Sequence, residues 1–184
     1  SYLYSLGADK FVHDAGGSFA EMSAVPASSV TLTKEASGYF SIKLNGTECI
    51  NISNGYDHAG VLNWNELDAG NQFEVAAVND EVFDPSTVLV MIQNYEGALT
   101  AEGILASYDG VGYPADSERE LLAAAAANSK ADCKSTENLA ALATAAASYK
   151  STSNVKMPED GKAYTFTNVQ KDGTKFYRSE ERRV

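Results

Sequence analysis

Basic residues are scarce in this chain. Fourteen lysines and arginines stand against 25 aspartates and glutamates over 184 residues, a formal net charge of −11. Nucleic-acid backbones and anionic membrane surfaces are bound by clustered Lys and Arg, so neither is an expected partner. A solvated acidic surface and a neutral partner fit the balance better. Long hydrophobic runs are missing too. No stretch approaches the roughly 18 apolar residues of a membrane-spanning helix. Cysteine is limited to Cys49 and Cys133, far apart and without zinc-site spacing. They would pair only if the helical part of the chain docks on the strands; two buried thiols are the plainer expectation. No Gly-x-Gly-x-x-Gly, P-loop or Gly-x-Ser-x-Gly occurs, so no cofactor and no serine-hydrolase elbow is expected. A signal peptide is also lacking. The chain opens on Ser1 rather than Met, as a processed product or a piece of a longer protein would.

What is present is enough apolar material for a core, 44% of the residues. Residues 1–80 read as a β-rich module. Short apolar or alternating runs at Tyr2-Leu3-Tyr4, Lys10 to His13, Phe19 to Met22 and Val30 to Thr33 are divided by Gly7, Gly16-Gly17 and Pro26. Val30 and Leu32 fall on one face of a strand, Thr31 and Thr33 on the other. Tyr39 to Leu44 opens a second set, and Asn45-Gly46 is a strong hairpin signal. YLYSLGADKFVHD and YFSIKLNGTECINIS each run strand, turn, strand, and each is followed by two further strands. The repeat is about 38 residues long, and such a unit has too few strands to bury its own apolar face, so units must stack.

Composition changes after Val78. Residues 81–112 read as a connecting segment, with an apolar run at Val88 to Ile92 and a short helix from Thr100, as N-cap, to Ser107. Residues 113–155 read as an Ala-rich α-helical hairpin, one helix starting at Asp116-Ser117-Glu118 and the other at Ser135-Thr136-Glu137. Residues 156–184 read as a β-hairpin, Ala163 to Val169 against Lys175-Phe176-Tyr177, the start of a truncated next module. The fold class expected is therefore α+β.

The stretch Glu48 to Val78 carries the binding chemistry that can be argued. It combines Tyr56, Asp57, His58, Asn63, Trp64 and Asn71. A sugar site needs an apolar platform for a pyranose face and planar amides or carboxylates for hydroxyls. The bland alternative makes Trp64 a core residue and the Asn, Asp and Gly residues turn formers. The order Cys49-Ile50-Asn51-Ile52, polar loop, Leu62-Asn63-Trp64, loop, Asn71-Gln72-Phe73 resembles one lobe of the ricin-type β-trefoil lectins. YLYSLGADKFV and GKAYTFTNVQKDGTKFY are similar to opening hairpins of trefoil-like modules in secreted bacterial surface proteins and glycosidases. The resemblance implies a β-trefoil-like module and an extracellular, cell-surface or periplasmic location. It also implies that Asn51 stands where the family has its sugar-binding Asp, with Trp64 and Asn71 at the stacking and hydroxyl-bonding positions and Gln72 at a mainly structural one. Leu62 replaces the family's first Gln, Phe73 follows Gln72 directly, and two lobes rather than three precede the helices.

Three functional readings follow. The first is a non-catalytic carbohydrate-binding or accessory module of a larger secreted bacterial protein, with a glycan and neighbouring domains as partners. Its contact residues would be Asn51, Asp57, Asn63, Trp64 and Asn71. The second is a structural spacer or protein-interaction module without a ligand. The third is a small hydrolase, built on His13 or His58 with a serine and an aspartate, or on Asp57, Glu66 and Asp68 as a glycosidase pair. Asp68-Ala69-Gly70-Asn71 is too short for a calcium loop of EF-hand type, and no metal ligand set is expected. Asn45-Gly46-Thr47 and Asn51-Ile52-Ser53 match the N-glycosylation pattern.

Overall fold

The computed structural model describes residues 1–52, 60, 62, 68–77, 83–107, 109–165, 167–169 and 175–177. The chain is α+β. Among the described residues are two three-stranded antiparallel sheets, three helices and a terminal two-stranded hairpin. The first sheet has the order β1 (Tyr4–Ser5), β2 (Lys10–His13), β3 (Glu21–Ser23). The second has β4 (Val30–Lys34), β5 (Phe40–Leu44), β6 (Glu48–Cys49). Asn45 and Gly46, between β5 and β6, have φ of 50° and 79°, and Thr47 N–H closes the turn on Leu44 O. Positive φ at both central residues is what a primed hairpin turn requires, and Asn-Gly supplies it at low steric cost.

The repeat seen in the sequence is visible in the backbone. In the first unit Val12 N–H donates to Leu3 O, and in the second Ile50 N–H donates to Ile42 O. Each unit closes on itself: Val30 N–H reaches Ser1 O, and Phe40 and Phe73 exchange a bonded pair. The units join through the β4–β5 ladder, Val30 to Lys34 against Phe40 to Leu44, and by two further bonds, Ala20 N–H to Gly60 O (2.8 Å) and Leu62 N–H to Ser18 O (2.9 Å). Val30, Leu44, Ile50 and Leu62 form the buried core behind this junction, with Val12, Ala20, Ile42 and Phe73 against it. Leu32 differs from expectation. It is 49% exposed, because the core sits at the Val30–Leu44 end of the β4–β5 pair and only Val30 of β4 reaches it.

The largest departure is in the connecting segment. It holds one 22-residue helix, α1 (Ser86–Ser107), not a short helix from Thr100. Asp84 starts it: its carboxylate accepts from Ser86 N–H and Ser86 Oγ–H, both at 2.9 Å. Pro85 follows at a position where its missing N–H costs nothing. Thr100 lies mid-helix, and its hydroxyl donates back to Glu96 O. The periodicity is blurred because Leu89 and Leu99 are exposed whereas Asn94 is fully buried in the inward stripe with Met91, Ala98 and Ala101. Val88, Met91, Ile92 and Tyr95 pack toward the β units, whereas Ala98, Ala101, Ile104 and Leu105 pack into the helices. Packing on both sides overrides the low helix propensity of its β-branched residues and glycines.

The expected helical hairpin is present as α2 (Asp116–Ala131) and α3 (Thr136–Ser151), and α1 packs on it to make a three-helix bundle. Ser135 caps α3, its side chain accepting from Asn138 N–H at 3.0 Å. Ala98, Ala101 and Ala126 let the helices approach closely around Leu122, Leu142 and Tyr149. Gly97 gives Leu142 room, since a Cβ at that position would lie 3.0 Å from Leu142 Cδ2. The fully buried Asn94 donates from Nδ2 to Cys133 O and Ser135 O, both at 2.9 Å, and so clasps the α2–α3 turn. The terminal hairpin pairs β7 (Thr167–Val169) with β8 (Lys175–Tyr177), so the first strand takes only the end of the expected Ala163 to Val169 run.

Phe11, Met91 and Cys133 meet in a third buried cluster that joins the β units to the bundle. The helical part does dock on the strands, yet Cys49 and Cys133 are two buried thiols rather than a disulfide. Burial pushes the Cys133 thiol up, which keeps it protonated and unreactive. At the edge of this seam Tyr2 Oη–H donates to Glu96 Oε1 at 2.7 Å, and Tyr4 Oη–H donates to Asp9, which also pairs with Lys134 at 2.6 Å. Among the described residues no helix is long and apolar enough to cross a membrane.

Two outcomes are expected. Asn94→Ala removes both clasping bonds and strands two carbonyls, so urea denaturation should read a loss of about 1–3 kcal/mol with an unchanged slope. The phenols of Tyr2 and Tyr4 are both pushed up to about 12, the first mainly by burial and the second mainly by its bond to Asp9. The folded protein holds these protons more tightly than the unfolded chain. Their contribution is therefore whole below pH 10.0 and is lost as pH rises toward about 12. Ultraviolet titration of the folded protein should find two late tyrosines, and Tyr2→Phe and Tyr4→Phe should each remove one.

Candidate functional site

The segment singled out in the sequence is anchored at its base. After β6, Ile52 N–H donates to Gly70 O at 2.9 Å, tying the outgoing chain to a single 3-10 turn at Ala69–Asn71. Asp68 organises that turn. Its Oδ1 accepts from Gly70 N–H at 2.9 Å and from Asn51 Nδ2 at 3.0 Å, while its carbonyl accepts from Asn71 N–H. Gly70 has no room for a side chain: a Cβ there would sit 2.6 Å from Asn51 Oδ1 and 2.8 Å from Ile52 O. Asn51 and Asn71 are 3% and 0% exposed. Their amides lie inside the base of the loop and are not presented at the surface.

Of the other expected contact residues, Asp57, Asn63 and Trp64 lie outside the described residues, as do Tyr56, His58 and Glu66. What brackets them is described. Residues 53–59 run between Ile52 and Gly60, and 63–67 between Leu62 and Asp68. Gly60 and Leu62 are buried and bonded to the first repeat unit. Both stretches therefore start and finish at fixed points.

His13 meets a serine, as a hydrolase would require, but in the wrong state. Its Nδ1 lies 2.9 Å from Ser28 Oγ. That oxygen already accepts from Asp14 N–H at 3.0 Å and is approached by Asn45 Nδ2 at 3.4 Å, and Ser28 is fully buried. With its lone pairs engaged, Ser28 stitches β2 to the β5–β6 turn and has no path to a substrate. The Asp68 carboxylate is bonded through Oδ1 to Gly70 and Asn51 and shapes the turn, while Asp57 and Glu66 lie outside the described residues. Among the described residues no group of three or more His, Cys, Asp or Glu is placed to hold a metal ion. Of the two glycosylation patterns, the one at Asn51 is buried, while Asn45 is exposed on its turn.

Sequence reasoning missed a concave region. It lies beyond the bundle, where the chain between α1 and α2 meets the chain leaving α3. Nothing in local periodicity announces it, because its walls come from loops far apart in sequence. The chain matches no protein-family model, no curated protein and no solved structure.

The base of the loop can be tested by packing alone. Gly70→Ala forces a methyl against the Asn51 amide and the Ile52 carbonyl. A loss of roughly 1–3 kcal/mol is expected in thermal or chemical unfolding. Ala69→Gly, as a control in the same turn, should cost much less.

Proposed function

We propose that this protein is a non-catalytic carbohydrate-binding accessory module of a larger secreted bacterial protein. Its β units are of trefoil type, acting outside the cell or at its surface. The observation that supports the reading is the anchored loop. Asn51, Asp68 and Gly70 lock its base, and Gly60 and Leu62 fix its middle. Between those points the chain carries Tyr56, Asp57, Asn63 and Trp64, the residue types that stack on a pyranose face and bond its hydroxyls. In this reading Asn51 and Asn71 hold the loop, and Trp64, Asn63 and Asp57 make the contacts. The acidic surface suits a neutral polysaccharide and disfavours a polyanion.

A structural spacer or protein-interaction module is the second reading. The burial of Asn51 and Asn71 favours it, since two residues suited to a sugar serve the fold instead.

Trp64 is the sole tryptophan, so its fluorescence reports on the loop without interference. Titration with neutral oligosaccharides should shift and saturate the emission. Trp64→Ala should weaken binding measured by calorimetry about tenfold, the equivalent of about 1.4 kcal/mol. An emission spectrum indifferent to every saccharide, with no heat of binding, would leave the spacer reading standing.

A further inference from the structure

The chain between α1 and α2 turns at Gly110 and Gly112, with φ of 118° and 85°, and then runs antiparallel to the chain that leaves α3. Gly112 N–H donates to Lys156 O, Lys156 N–H to Tyr113 O and Ala115 N–H to Asn154 O, each at 2.9 Å. A cleft of about 600 Å³ opens beside this pairing. The volume lies within the range of small-ligand sites, roughly 300–1,000 Å³.

Its walls combine two kinds of surface. Val111 and Met157 are apolar and accessible, Met157 at 72%. Tyr164 lines the cleft beside them, its phenol oxygen accepting from Glu159 N–H at 2.8 Å so that the ring is held in place. The polar wall carries two ammonium groups, Lys156 and Lys162, and two carboxylates, Asp109 and Glu159; Asp116, outside the lining, is a third carboxylate paired with Lys156. Lys156 Nζ lies 2.6 Å from Asp109 Oδ1 and 2.7 Å from Asp116 Oδ1, and Lys162 Nζ lies 2.5 Å from Glu159 Oε2. The charges lining the cleft cancel. An anion would meet Asp109 and Glu159, and a cation would meet Lys156 and Lys162, so neither gains. A neutral molecule rich in hydroxyls gains from both, because ammonium groups only donate and carboxylates only accept. Its C–H faces would rest on Met157 and Val111.

We propose that this cleft is a second saccharide subsite, taking a neutral mono- or disaccharide through Lys156, Asp109 and Glu159. It rests on the reading of the protein as a carbohydrate-binding module. It adds a site formed by loops flanking the bundle, separate in sequence from the Trp64 loop. A chain with two modest sites would hold a polysaccharide by avidity, not by one tight contact.

The test uses the full chain with cellobiose, xylobiose, mannobiose and diacetylchitobiose, followed by amide chemical shifts and calorimetry. The expected result is saturable shifts at Gly110, Gly112 and Lys162 with at least one of these probes, persisting in Trp64→Ala. In Lys156→Met the affinity at these amides should fall about tenfold. Met157→Ala changes an exposed side chain and leaves the ion pairs in place. It keeps the test open should Lys156→Met fail to fold, and it should weaken the same binding severalfold. Binding that vanishes in Trp64→Ala and is untouched by Met157→Ala overturns this subsite while leaving the proposed function intact. Absence of binding to any probe at millimolar concentration, in the wild-type chain, overturns both.

Discussion

Phe11, Met91 and Cys133 come from a strand, a helix and a helix–helix turn, and their contact joins the two halves of the molecule. Burying a side chain of this size is worth about 1.5–3 kcal/mol, so this seam outweighs the exposed Lys134–Asp9 ion pair at its margin. The seam also dictates other features. It draws Val88, Ile92 and Tyr95 to the β side of α1, leaving Ala98, Ala101 and Ile104 to face α2 and α3. One helix thus serves two cores. The α2–α3 turn must then be held where Cys133 can reach Phe11, which is the task of the Asn94 amide.

The β units depend on a different device. Neither unit has enough strand to cover its own apolar face, as the repeat implied. They share a core instead, through the β4–β5 ladder and the bonds at Ala20–Gly60 and Leu62–Ser18. Residues deep in the Glu48–Val78 stretch are therefore tied to the first unit. The loop expected to bind is in part a structural bridge, and Leu62 is the residue that shows it. Its side chain is part of the shared core, with Val30, Leu44 and Ile50.

Much of this was legible in the sequence where the signal is local. The Asn45-Gly46 hairpin, the Ser135 cap, the Asp116 helix start and the alternation at Thr167–Val169 depend on neighbouring residues only. Helix α1 was not legible, since exposed Leu89 and Leu99 and buried Asn94 erase the period that marks an amphipathic helix, and Gly97 looks like a breaker until Leu142 is set against it. Leu32 was misjudged because strand alternation says which residues share a face, not where the core lies along it. The candidate site was legible in residue type alone. Asn51 and Asn71 suit a sugar and suit a buried loop base equally well; only burial and the Asp68 bond separate the two.

That separation bears on how recognition is divided in such a loop. An amide buried under its own turn is a poor first contact, because exposing it would cost the bonds that shape the loop. Its value lies in fixing the backbone so that neighbouring side chains lose little freedom on binding. Asn51, Asp68 and Gly70 meet that requirement: the carboxylate bridges two strands of chain, and the glycine lets them approach within the reach of one hydrogen bond. The same logic operates beyond the bundle, where Lys156 is held between Asp109 and Asp116. In both places charge is satisfied internally before any ligand arrives. Side chains held in this way lose little freedom when they engage a partner.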